Sequence, residues 1–192
     1  MSRGAGLVYV VGASGVGKDS VLAGVRSMLL EDDRIAVAHR YITRDAQAGG
    51  ENHVALSREE FLLRRAAGCF ALDWESHGLH YGIGREIELW LAQGMQVLVN
   101  GSRAHAAVLR ERYPAARVVE IVASDAVLRA RLLARGREDA AAVDARLARN
   151  RQLPACPADY QIANEGSLDE AAQALLGFAR AGMPAALQPG CV

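Results

Sequence analysis

The chain opens with an apolar run, L-V-Y-V-V over 7–11, that stops at a glycine. A short continuous run of this kind reads as a buried strand of a parallel sheet, because such a strand is covered on both faces. From Lys18 the period changes. Val21, Leu22, Val25, Met28 and Leu29 recur at three- and four-residue spacings, which predicts a helix over about 18–30. The alternation then repeats. Further strands are predicted at 97–99, 118–122 and 160–163, and helices at about 86–93, 103–112, 128–134 and 140–151, with a last one running from a cap at Ser167 to about 180. The sequence S-R-E-E over 57–60 is a capping box, in which a serine and an acid three residues on satisfy each other's backbone N–H groups, and it opens a helix carrying Phe61, Leu62 and Leu63. S-L-D-E over 167–170 repeats the device.

Two stretches break the pattern. Residues 40–56 have no helical period and are punctuated by Gly49 and Gly50, so they are expected to form an excursion from the core, while 69–81 alternates loosely and is expected to be extended. Strands alternating with helices predict an α/β fold, a parallel sheet flanked by helices. The expected organisation is one domain over 1–192, with a core at about 7–180, an excursion at about 40–83, a lid at about 134–150 and a loose tail at 182–192. No internal repeat is evident.

Composition adds exclusions. A chain of 192 residues suits one domain, and 51% hydrophobic with 23% charged residues is ordinary for a globular protein rather than a disordered or collagenous one. Twenty-two basic and 22 acidic residues cancel, so no global field draws the chain to nucleic acid or to an anionic membrane, and neither partner is expected. The first apolar run is too short to span a bilayer and lacks a signal-peptide pattern, so a cytoplasmic location is expected. Cys69, Cys156 and Cys191 fit neither a disulfide framework nor a zinc site and read as ordinary thiols. A homodimer is left open. One detail outweighs these totals: Lys18 is the single lysine, all other basic side chains being arginine, so a compact ammonium is kept at one place only.

That place is chemically specific. Gly12, Ala13, Ser14, Gly15, Val16, Gly17 and Lys18 form G-x-x-x-x-G-K between a predicted strand and a predicted helix. In this arrangement backbone N–H groups turn inward onto a β-phosphate, the helix N-terminus adds positive charge, and the lysine reaches the β- and γ-phosphates. The motif therefore predicts ATP binding and phosphoryl transfer. It expects Ser or Thr next, for Mg²⁺, but the chain has Asp19 and then Ser20. A carboxylate beside phosphates calls for a cation, so Asp19 is a candidate to hold Mg²⁺ directly or through water; the plainer alternative is an acid complementing the helix dipole. The strand at 97–99 ends in Asn100, where such enzymes often carry an aspartate, and Asp19 is expected to supply the charge that position lacks.

Arginines crowd the segment after the fourth strand. Arg137, Arg146 and Arg149 flank the Gly136 turn or share one side of the following helix, and are candidates to neutralise the transferred phosphoryl group under a closing lid. A solvated helix face is the alternative. On the excursion, Arg44 is a candidate to clamp an acceptor phosphate, and His53, nearby, reads equally as a ligand or as a surface residue.

The residues then resemble the guanylate kinase fold family. GASGVGKDS over 12–20 is similar to its phosphate loop, Thr43-Arg44 and Gly50-Glu51 match part of its acceptor motif, and D-Y-Q-I-A-N over 159–164 is similar to a segment that helps form the adenine site, which makes Asn164 a candidate nucleotide residue or else simply part of a core strand. Gln47 replaces the motif's second arginine and V-A-L over 54–56 replaces its aromatic element. The likeness is stronger to a branch, the ribose 1,5-bisphosphate phosphokinases of phosphonate breakdown, at GKDS (17–20), RYITR (40–44), GGENHVAL (49–56), YGI (81–83) and VNGSR (99–103). This resemblance implies a P-loop fold like that of nucleoside monophosphate kinases, ATP with Mg²⁺ as cofactors, ribose 1,5-bisphosphate as acceptor, and Arg44, Glu51, His53, Tyr81 and Arg103 as acceptor residues. A true guanylate kinase, or a non-catalytic binding module of the same fold, are the competing readings.

Overall fold

The computed structural model describes residues 3–48, 51–134, 136, 139–152 and 156–183. Two sheets organise them. The first has the order β2-β7-β1-β8-β9 and consists of β1 (Leu7–Gly12), β2 (Ile35–Val37), β7 (Gln96–Asn100), β8 (Arg117–Val122) and β9 (Tyr160–Ala163), every pair parallel. Residues Leu7 to Val11 of β1 are all 0% exposed, as a two-sided strand requires. Val8 and Val10 join one core with Val21, Leu22 and Val25 of α1 (Lys18–Met28) and Leu175 of α7 (Leu168–Ala181). Leu7, Tyr9 and Val11 join the opposite core with Ile87 of α3 (Glu86–Ala92) and Leu109 of α4 (Ala106–Arg112). The expected α/β architecture is therefore present, and its strands were placed correctly apart from β2, whose three residues carry too little pattern to stand out.

The excursion is more ordered than expected. It forms a second sheet, β4-β3-β6-β5, from β3 (Arg40–Ile42), β4 (Val54–Ala55), β5 (Phe70–Ser76) and β6 (Leu79–Gly84). The extended stretch read at 69–81 is a β5–β6 hairpin that turns at His77 and Gly78. Its separate small core stacks Phe61 of α2 (Arg58–Ala66) on Phe70, ring centroids 4.6 Å apart. Ser57 caps α2 by accepting from the Glu60 N–H at 3.1 Å, but the Glu60 carboxylate accepts from Arg64 at 2.6 Å, so only half of the predicted box forms. Ser167 likewise caps α7, on Asp169 rather than Glu170.

After β8, α5 (Asp125–Ala134) and α6 (Ala140–Gln152) occupy the region expected as a lid. Arg129 and Asp144 tie the two helices at 2.8 Å, and Leu132, Val143 and Leu147 bury against the first core.

Candidate active site

The site lies where β1 and β7 end, at the carboxyl edge of the parallel sheet, the usual place for ligands in such folds. After Gly12 the chain turns through Gly15 and Gly17, with φ of 90° and 95°. Gly17 caps α1 in the left-handed region, and a Cβ there would lie 2.8 Å from the Asn164 amide nitrogen, so a side chain is excluded by both conformation and space. The loop is braced from behind. Asn164, 2% exposed, donates to the Val16 carbonyl at 2.8 Å, and Arg131 donates to the Asn164 carbonyl at 2.8 Å. The asparagine expected at an adenine pocket thus has its amide nitrogen bonded to the phosphate loop itself.

Lys18 folds back beneath the loop and donates to the carbonyls of Gly12 at 2.9 Å and Ala13 at 3.4 Å. Burial pushes its ammonium down to about 8; Asp19 opposes that shift, while Arg40 and Arg103 add to it. The ammonium is thus held on two carbonyls with its charge destabilised. Ser14 is exposed, and Arg146 donates to its hydroxyl at 3.4 Å, which brings one of the three arginines singled out in the sequence to the loop. Arg149 is exposed on α6, and Arg137 lies outside the described residues.

Asp19 and Asn100, 81 residues apart, meet: the Asn100 amide donates to Asp19 Oδ1 at 2.5 Å. Asn100 is 4% exposed, and its own Oδ1 has no hydrogen-bond partner among the described residues. An orphaned buried carbonyl oxygen beside a carboxylate is a donor set suited to a hard cation such as Mg²⁺, although no group of three or more acids, histidines or cysteines gathers among the described residues. Next to Asn100, Gly101 lets the Tyr9 ring close in: a Cβ would lie 2.1 Å from Cζ. The Tyr9 hydroxyl accepts from the Ser102 N–H at 2.9 Å, and burial holds its pKa up at about 12.

In the connection between β3 and β4 of the second sheet, Glu51 is the hub. Its carboxylate accepts from Arg40 Nε at 2.8 Å and from Arg40 Nη2, and lies 3.9 Å from Arg44 Nη2. His53 Nδ1 lies 3.1 Å from the Glu51 carbonyl oxygen and 3.5 Å from Arg44 Nη2. Arg44 Nε is buried without a partner among the described residues. Tyr81 stacks on Trp74 with centroids 5.6 Å apart and faces Arg40. Arg103 lies on the β7 side, 3.8 Å from Glu120. Most of the sequence-based candidates thus fall into two groups, the loop with Lys18, Asp19 and Ser20, and the cluster of Arg44, Glu51, His53 and Tyr81, while Arg103 is not brought to the second group.

Arg40 joins them. Its Nη2 lies 3.6 Å from Asp19 Oδ1, and Glu51, Asp19 and Tyr81 together outweigh the effect of burial and hold its pKa above the ordinary arginine value. Sequence reasoning missed this residue as a site candidate. The signal was a charged side chain opening the strand R-Y-I, where an apolar residue would be expected.

Comparison with known proteins agrees with this geometry. The guanylate kinase family model matches residues 5–181. The ribose 1,5-bisphosphate phosphokinase PhnN of Desulfomicrobium baculatum is 51% identical over 173 residues, 90% of this chain and 92% of its own length. The protein of the same name from Chromobacterium violaceum is 51% identical over 177 residues, 92% and 94% respectively, and that of Burkholderia pseudomallei 52% over 174 residues, 90% and 94%. Among solved structures, the guanylate kinase of Anaplasma phagocytophilum superposes with a TM-score of 0.69 at 21% identity, covering 98% of this chain and 92% of its own, a likeness of fold. The chain belongs to the guanylate kinase family, in the group that includes the ribose 1,5-bisphosphate phosphokinases.

Proposed function

We propose that this protein transfers the γ-phosphoryl group of ATP to the 1-phosphate of ribose 1,5-bisphosphate, releasing ADP and 5-phospho-α-D-ribose 1-diphosphate, in phosphonate breakdown. An acceptor phosphate oxygen bonds to the γ-phosphorus, the bond to the bridging oxygen breaks, and ADP leaves with its electrons. No general base is needed, because the acceptor oxygen is already ionised at neutral pH, so catalysis reduces to positioning and charge neutralisation. The loop amides from Gly12 to Lys18 cradle the β-phosphate and Ser20 lies in the first turn behind them. Lys18 leaves its two carbonyls for the β- and γ-oxygens. Arg146, already at Ser14, with Arg149 and Arg137, meets the transferred group from the α5–α6 side. Asp19 and the unpaired Asn100 Oδ1 would hold Mg²⁺, directly or through water; when bound, the ion neutralises phosphate charge.

The single observation that carries the acceptor assignment is the cluster of Arg44, Glu51, His53 and Tyr81, a charged and polar surface fitted to phosphate and sugar hydroxyls rather than to a purine face. Glu51 acts there through the arginines that it orients, whereas Arg103 stands apart from the cluster, paired with Glu120 and acting electrostatically on Lys18. The names of the relatives point the same way. ADP release measured with ribose 1,5-bisphosphate and GMP offered in parallel tests the assignment. Turnover is expected with the sugar bisphosphate, and a preference for GMP would overturn the acceptor while leaving the kinase.

A further inference from the structure

Arg40, the first residue of β3, has a side chain only 12% exposed. Three groups surround its guanidinium. Glu51 takes the Nε and Nη2 edge, Asp19 lies 3.6 Å from Nη2, and the Tyr81 ring centroid lies 5.1 Å from Cζ. Nη1 takes part in none of these contacts. Burying an arginine–glutamate pair is at best neutral for stability, so packing energy does not account for its position. What distinguishes the pair is where it stands. Among the described residues, Arg40 alone pairs with a carboxylate of the β3–β4 connection and with one of the phosphate-loop helix.

Phosphoryl transfer between two phosphates poses a problem that this position answers. The acceptor phosphate and the terminal phosphate of ATP are both anionic and must approach to roughly 3–3.5 Å between reacting atoms. Lys18 serves the donor side. Arg44 and His53 contact Glu51 but not Asp19, so they belong to the outer part of the acceptor cluster. A cation is still required between the two, rigid enough to fix geometry. A fork clamped on one edge by a buried carboxylate and on its face by an aromatic ring has little freedom to lose on binding.

Resting on the reaction proposed above, we propose that Arg40 binds, through its Nη1 edge, the acceptor phosphate that receives the phosphoryl group, and so selects acceptors whose phosphate sits beside Asp19. Glu51 is then its positioning partner: it holds the fork and lowers the net charge of the cluster, so that the acceptor can leave after reaction.

The test separates acceptor binding from a general effect on the loop. Arg40→Lys keeps the charge but removes the fork, and Arg40→Gln combined with Glu51→Gln removes both charges together, so that neither member of the pair is left buried without the other. For each, KM for ribose 1,5-bisphosphate is measured at saturating ATP, and the dissociation constant of a non-hydrolysable ATP analogue is measured calorimetrically without acceptor. The expected result is a rise of at least tenfold in acceptor KM with the analogue's affinity within twofold of wild type; should Arg40→Lys fail to fold, the double variant decides alone. An unchanged acceptor KM, or a parallel loss of analogue affinity, overturns the proposal. If the wild-type protein ignores ribose 1,5-bisphosphate, the reaction assignment falls by itself, and the same pair of measurements is made on whichever phosphate acceptor it turns over.

Discussion

The two sheets solve different problems. In the parallel sheet, five successive residues of β1 are fully buried, and the strand delivers a loop that, in the proposed reaction, meets phosphate with backbone amides and one ammonium. In the second sheet β3 and β4 have only three and two residues, Val54 and Ala55 of β4 are exposed, and the candidate chemistry on the sheet and its connecting loops is carried by side chains: Arg40, Arg44, Glu51, His53 and Tyr81. Backbone recognition is indifferent to most substitutions around it. Side-chain recognition is rewritten by a few. A side-chain site can therefore be exchanged while a backbone cradle is kept.

The strongest attack on that contrast removes the side chain on which the proposed donor site rests. Lys18→Ala is expected to lower kcat/KM by about a thousandfold or more, in the range that single transition-state charge contacts reach, while the thermal midpoint stays equal or rises, since a poorly solvated charge is gone. Steady-state kinetics beside a melting curve checks both halves. Full activity in this variant would end the interpretation of the loop.

A second attack falls on the acceptor half through its packing. Phe61 is 0% exposed and stacks on Phe70 in a cluster separate from both main cores. Phe61→Ala removes roughly 3–5 kcal/mol of packing from a unit too small to absorb it. Acceptor KM is expected to rise about a hundredfold, with hydrogen exchange accelerated in residues 54–84, while binding of an ATP analogue holds within twofold. Equal damage to both substrates would show that the two halves are one cooperative unit.

This contrast also explains what could be read in advance. β1, β7 and β8 were legible because two-sided burial forces unbroken apolar runs, and the loop was legible because its glycines and lysine are local in sequence. The second sheet was legible only in its hairpin, where 69–81 read as extended without showing its pairing. R-Y-I and V-A are too short for any period, and Phe70 to Ser76 mixes aromatic, acidic and polar residues because its order comes from pairing with β6. The Asp19–Asn100 contact spans 81 residues and depends on β7 being the neighbour of β1, a fact of topology rather than pattern, although the two departures from the motif hinted that they belonged together.

Asp19→Asn sharpens the comparison on the donor side. If Asp19 supplies the negative charge that Asn100 lacks, the Mg²⁺ concentration for half-maximal activity should rise about 10- to 100-fold, the usual cost of weakening a metal's ligand set. Titrating activity against Mg²⁺ at fixed ATP reads this directly. An unchanged midpoint with unchanged turnover would reduce Asp19 to a helix-dipole residue.

The smallest effect is the most diagnostic, because affinity and stability move in opposite directions. Burial lowers Lys18 to about 8 from an ordinary 10.5, so below pH 8 the lysine is charged in folded and unfolded chains alike. Between about 8 and 10.5 the unfolded chain holds a proton that the folded one has lost, and this one group makes stability rise with pH, by up to roughly 1.4 kcal/mol per pH unit. ATP needs the ammonium. Its binding must therefore take up a proton above pH 8, and kcat/KM for ATP should be flat below pH 8 and fall up to about tenfold per unit above it. At saturating ATP the phosphates hold the proton on, so kcat should stay level to higher pH. The acceptor's kcat/KM, measured at saturating ATP, should not share the break at 8, because the lysine is then already charged. Lys18→Met should abolish both the break in the ATP profile and the stability gained above it; a break surviving in that variant would assign the titration to another group.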